Sequence, residues 1–229
     1  MRPARVLLLA SAAAAAACSA RPPETAAAGK AYFRQAGCVT CHRVGSEGGR
    51  VGPDLTLVGF RRSPAFLERW LSGPTAWRPG TLMPDPRLSP PARRALVAYL
   101  SGLRGQDWRA GARPWDAPFP SPAARGAVIF SRAGCSGCHG PAGSGGEPNN
   151  NVPGGLVPAL RGLHDRFTKA ELVAKISRGV AAPQKLDAKG PDPLVRMPAW
   201  GGVLDAAELS AVADYLLTLK PADPAPLDW

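Results

Sequence analysis

Cys38-Val39-Thr40-Cys41-His42 and Cys135-Ser136-Gly137-Cys138-His139 stand 97 positions apart and share the pattern C-x-x-C-H. The likeness runs upstream of the cysteines. Gly29-Lys30-Ala31-Tyr32-Phe33-Arg34-Gln35-Ala36-Gly37-Cys38 aligns with Gly126-Ala127-Val128-Ile129-Phe130-Ser131-Arg132-Ala133-Gly134-Cys135, with Gly, Phe, Ala, Gly and Cys in register. A chain of 229 residues allows one large domain or two small ones at about 100–200 residues each, and the repeat selects two of one kind. Each copy opens with a short helical pattern and closes with an amphipathic helix. Ser89-Pro90 starts the first closing helix, ahead of Leu96, Val97, Tyr99 and Leu100 at helical spacing. Asp205-Ala206-Ala207-Glu208 forms a capping box before Leu209, Val212, Tyr215, Leu216 and Leu219. Thr168 to Gly179, with Glu171 three residues after Thr168, adds a middle helix to the second copy. No alternating apolar run demands a sheet, so the expected fold class is all-α.

The motif carries chemistry because two thiols three positions apart project to the same side of a helical turn. Each can form a thioether with one vinyl group of a haem, while the adjacent imidazole reaches the iron. The alternatives are a vicinal disulfide, a thioredoxin-like redox pair and a structural zinc. A redox pair wants a βαβ context that is missing, and one zinc taking four cysteines would have to join two repeats that each look complete.

On these residues the sequence resembles two tandem mono-haem cytochrome c domains of the small all-helical kind, over roughly residues 24 to 220. The resemblance implies two haem c groups, each wrapped by one domain and held through Cys38 and Cys41 or Cys135 and Cys138, with His42 and His139 as proximal iron ligands. It also implies a methionine ligand on a loop before the last helix. Thr81-Leu82-Met83-Pro84 and Val195-Arg196-Met197-Pro198 each offer one in that place. A thioether ligand favours ferrous iron, and a six-coordinate iron leaves no room for substrate. In this family a proline carbonyl accepts the proximal imidazole N–H, and Pro53 and Pro158 are the matching positions. For Trp77, Arg78 and Trp200, haem contact and core packing are equally good accounts. His164, beside Asp165, reads as a surface residue and is the one alternative nitrogen ligand for the second iron.

The N-terminus implies export. Arg2 and Arg5 precede a 12-residue apolar run, Val6 to Ala17, which is too short for a spanning helix of about 20 residues and matches a secretory signal. Ala15-Ala16-Ala17-Cys18-Ser19 resembles a lipobox, which would make Cys18 a lipid anchor and account for the odd fifth cysteine; discard of Cys18 with the signal is the alternative. The expected organisation is signal peptide 1–17, anchor tether 18–23, first domain 24–105, Pro- and Trp-rich linker 106–122, second domain 123–220 and tail 221–229. Trp108 and Trp115 in the linker suit packing onto a domain, and the Gly- and Asn-rich insert from Gly143 to Gly155 reads as a mobile surface loop.

The chain has 28 basic and 17 acidic residues, a net charge of +11. From Ser19 to Arg113 the balance is 15 basic to 6 acidic, and from Pro114 onward it is 11 to 11. An asymmetric charge of this kind suits docking of the first domain to an acidic redox partner; an Arg-rich composition without a patch is the other account. Export and the commitment of the aromatics elsewhere argue against nucleic acid. The expected protein is a periplasmic, lipid-anchored di-haem electron carrier. The rival readings are a cytochrome subunit of a larger oxidoreductase or terminal oxidase, or a di-haem enzyme such as a peroxidase or sulfur-compound dehydrogenase. A haem-based gas sensor is a third class, but it requires an open site.

Overall fold

The computed structural model describes residues 24–221. The sequence expectations for the signal peptide, the tether with Cys18, and the tail beyond Pro221 lie outside the described residues. Within them the all-α expectation holds. Among the described residues eleven α-helices are joined by loops and short 3-10 turns, and the only paired strands are Arg43–Val44 (β1) and Glu47–Gly48 (β2), an antiparallel hairpin with Arg43 opposite Gly48.

The first half runs through α1 (Ala26–Gln35), α2 (Cys38–Cys41), α3 (Val58–Arg61), α4 (Pro64–Ser72), α5 (Pro74–Trp77) and α6 (Pro90–Ser101). A short helix in the connector, α7 (Gln106–Ala110), leads to the second half: α8 (Pro122–Arg132), α9 (Ser136–His139), α10 (Lys169–Arg178) and α11 (Ala206–Leu217). Local chemistry sets the starts. Thr25, Ser63 and Ser121 each accept from a backbone N–H in the first turn of α1, α4 and α8, and proline stands at the start of α4 and α8. Both expected capping boxes form, Thr168 with Glu171 and Asp205 with Glu208. Ser89 occupies the cap position of α6 but its side chain makes no capping bond, so Pro90 alone marks that start.

Each half is organised by its first and last helices. At the crossing of α1 with α6, Gly29 lies so close to Ala95 that a Cβ would overlap the Ala95 carbonyl; Gly126 meets Ala211 in the same way where α8 crosses α11. Glycine is required because backbone meets backbone there. An aromatic pair repeats beside each crossing, Phe33 with Tyr99 at 5.7 Å between ring centroids and Phe130 with Tyr215 at 5.4 Å. Two copies of one design are therefore visible in three dimensions as well as in sequence.

The two cores exchange residues. Leu57 and Phe60 of the first half join the cluster of Ile129, Phe130, Trp200 and Val212, whereas Val195, Val157 and Cys138 of the second half join the cluster of Phe33, Phe66 and Leu96. The connector is part of this packing. Trp108 and Trp115 are buried edge to face at 5.0 Å, and the Trp115 indole N–H donates to Glu208 Oε1 at 2.6 Å.

Candidate functional site

Each C-x-x-C-H segment begins after a left-handed glycine, Gly37 at φ 73° and Gly134 at φ 91°, which turns the chain from α1 or α8 into the short helix carrying the cysteines. None of the four motif cysteines is paired in a disulfide. The imidazoles are oriented alike. His42 Nδ1 donates to Pro53 O at 2.9 Å and His139 Nδ1 donates to Pro158 O at 3.0 Å. A carbonyl only accepts, so Nδ1 carries the proton and Nε2 keeps its lone pair for a metal. Gly52 closes the back of the first ring, where a Cβ would sit 2.5 Å from His42 Cε1.

Burial dominates the electrostatics. It pushes the Cys135 thiol up to about 12 against the opposing pull of Arg61, and raises the Cys38 thiol above its ordinary value. Burial also lowers the His139 imidazole, against the effect of the Pro158 carbonyl, so the ring favours the neutral form that can bind a metal. Among the described residues no three His, Cys, Asp or Glu side chains converge as a structural zinc site requires.

The donor set fits haem c. Each half presents two thiols and one imidazole with a free Nε2. Two buried donors, Trp77 Nε1 and Arg62 Nη1, have no acceptor among the described residues, and the carboxylates of such a group would suit them.

Met83 shares an apolar cluster with Cys38, and Met197 shares the other cluster with Cys135, so each methionine is grouped with a thiol of its own half. The loops hold them differently. Met83 Sδ accepts from Trp70 Nε1 at 3.0 Å, while the Met197 backbone carbonyl accepts from Val180 N at 2.8 Å. Trp200 is buried with Phe60 against its edge at 5.1 Å, which favours the packing account. Arg78 Nη1 donates to Glu147 Oε2 at 3.2 Å. His164 is exposed and pairs with Asp165 at 3.2 Å, as a surface residue does.

The insert from Gly143 to Gly155 departs from its expectation as a mobile surface loop. Glu147 and Asn149 are buried. Glu147 accepts from Arg62 at 2.9 Å and from Arg78, joining the halves. Asn149, Asn150 and Asn151 grip the segment leading to Met197. Asn150 donates to Asp192 O at 2.9 Å and accepts from Leu194 N at 2.7 Å, and Asn151 donates to Asp187 O at 2.9 Å and accepts from Asp187 N at 2.7 Å. The run of three asparagines was the available signal, since an amide side chain can accept from one backbone group and donate to another.

The sequence pattern of the family Cytochrome c matches residues 26–104 and 123–220. Cytochrome c oxidase subunit 2 of Alkalihalophilus pseudofirmus is 36% identical over 88 residues, 34% of this chain and 26% of the relative. The protein of the same name from Bacillus subtilis is 30% identical over 98 residues, 36% of this chain and 28% of the relative. The chain thus spans about a quarter of the length of the curated relatives it matches. Among solved structures, the reducing HAO-like protein complex of Kuenenia stuttgartiensis covers 87% of this chain and 99% of its own at 16% identity, with a TM-score of 0.29.

Proposed function

We propose that this chain, which belongs to the cytochrome c family in both of its halves, is a di-haem electron carrier whose two irons are each ligated by histidine and methionine. Cytochrome c domains transfer electrons and hold haem c, and the two halves provide for two such groups. The haem iron, when bound, supplies the ferric–ferrous couple. In this reading Cys38, Cys41, Cys135 and Cys138 form the thioethers, His42 and His139 bind iron through Nε2, and Met83 and Met197 occupy the opposite positions. The carrying observation is the paired geometry at Pro53 and Pro158, where both imidazoles are fixed with Nε2 free. Their Nδ1 bonds orient the rings and raise their basicity toward a metal.

Exposed Lys30, Arg50, Arg69 and Arg87 support docking of the first half to an acidic redox partner. Family membership supports an extracytoplasmic location; the apolar run before Cys18 further supports a periplasmic protein anchored by a lipid on that cysteine. No helix among the described residues is long and apolar enough to cross a membrane. Similarity to oxidase subunits favours a second reading, a cytochrome subunit within a larger oxidoreductase.

Anaerobic spectroelectrochemical titration of the purified protein, followed by carbon monoxide addition to the reduced form, tests the ligation. Two haems that ignore carbon monoxide support the carrier. Rapid binding at either haem would overturn the methionine assignment there and favour a catalytic or sensing site. Copurification with a larger oxidoreductase would select the subunit reading.

A further inference from the structure

Arg61 ends α3 and is 8% exposed, with its guanidinium against the second C-x-x-C-H segment and the loop that follows the first. On one side Nη2 donates at 2.7 Å to the carbonyl of Asp54, the residue after the Pro53 that orients His42. On the other, Nη1 donates at 3.3 Å to the carbonyl of Gly134, the residue before Cys135. The group lies flat against Gly134, where any Cβ would overlap it, and close to Gly137 between the two cysteines. One side chain therefore touches the supports of both motifs.

Its charge is not neutralised by a hydrogen-bonded carboxylate. The nearby Asp54 carboxylate is engaged by Arg132 at 3.1 Å and by the Thr56 hydroxyl at 2.6 Å. Arg62, the next residue, differs in having the buried Glu147 as partner. Arg61 makes its hydrogen bonds to backbone carbonyls, and among the described residues its Nε has no acceptor. Burying a cation is costly, and an apolar side chain would fill the same seam without that cost. Packing alone does not explain an arginine here.

We propose that Arg61 is a positioning residue joining the two haem-attachment segments, and that its buried charge raises the reduction potential of the second haem more than that of the first. The inference rests on the two-haem reading. Ferric haem carries one more positive charge than ferrous haem, so a fixed cation in a low-dielectric seam disfavours the oxidised state. The effect is greater at the second site because the guanidinium lies against Gly134 and Gly137, the backbone that carries Cys135 and Cys138.

The test is a redox titration of the holoprotein followed by proton NMR of the shifted haem methyl signals, which report each haem separately. The variants are Arg61→Met, which keeps bulk and loses charge, Arg61→Gln, which keeps one donor, and Arg61→Lys, which keeps charge. In Arg61→Met and Arg61→Gln the second haem should become easier to oxidise by about tenfold in its equilibrium constant, 59 mV for a one-electron couple, with a smaller change at the first. Arg61→Lys should restore most of the shift. Unchanged potentials in the neutral variants, equal shifts at both haems, or a lysine variant that behaves like methionine would each overturn the proposal. A haem assay on the wild-type protein separates the two ideas, because fewer than two haems per chain defeats the two-haem reading itself.

Discussion

Asn149 grips the backbone of Val195 at two points: its Nδ2 donates to Val195 O at 2.9 Å and its Oδ1 accepts from Val195 N at 3.0 Å. Both residues are buried, and Val195 lies two positions before Met197. Asn149→Ala leaves two buried backbone groups without partners, each worth about 1–3 kcal/mol, and frees the methionine loop. The variant should unfold at lower denaturant. After reduction it should also bind carbon monoxide at the second haem and not at the first. A closed second site in Asn149→Ala would show that the loop holds its place without the clasp.

That clasp marks where the sequence stopped being legible. The repeat from Gly29 and Gly126 to the cysteines could be read because its pattern is local, with a glycine, an aromatic one turn later and a left-handed glycine before Cys38 or Cys135 at the same spacing in both copies, although the helices that Gly29 and Gly126 meet lie far along the chain. The capping boxes at Thr168 and Asp205 were local too. Asn149 bonds across 46 positions, Arg61 across 73 and Trp115 across 93. Gly- and Asn-rich composition says only that a segment can turn, and its partners lie far along the chain. The charge asymmetry was likewise half readable. A count of basic residues cannot show that Arg61 and Arg62 lie buried at the seam instead of on a docking face.

Gly29 and Gly126 perform the same task in separate cores, so their substitutions should behave alike and independently. Alanine at either position forces apart helices packed backbone to backbone, an overpacking worth about 1–3 kcal/mol. With no shared partner between them, the losses in the double variant should add. Denaturant titration of the holoprotein checks this, and a double variant no worse than either single one would mean that the halves unfold separately.

Glu208 is a buried carboxylate that receives Arg113 at 2.7 and 2.8 Å, the Trp115 indole, and the Asp205 backbone N–H. Glu208→Ala removes the acceptor from all three and should cost about 3 kcal/mol, since breaking a buried ion pair typically costs 3–5 and Arg113 can still reach water. Because Trp115 belongs to the connector, the loss should also appear as faster proteolysis between residues 106 and 122. Glu208→Gln keeps an acceptor for the indole and should be intermediate. Equal proteolysis rates in all three proteins would show that the connector is held by its apolar packing alone.

Gly37 and Gly134 separate backbone strain from crowding at equivalent positions. Both are left-handed, at φ 73° and 91°, so alanine at either should cost about 1–2 kcal/mol for conformation alone. At Gly37 a Cβ meets only the Thr40 hydroxyl, at 3.5 Å, whereas at Gly134 it overlaps the Arg61 guanidinium. Gly134→Ala must therefore also displace a buried cation from its bonds to the Gly134 and Asp54 carbonyls, and it should be the more damaging change. Removing the obstacle should narrow the difference: combined with Arg61→Met, whose unbranched side chain can bend aside, Gly134→Ala should cost close to what Gly37→Ala costs. A double-mutant cycle measured by denaturant unfolding gives the coupling directly. A coupling near zero would mean that Arg61 does not press on the second motif, and would remove the contact on which its influence over that haem depends.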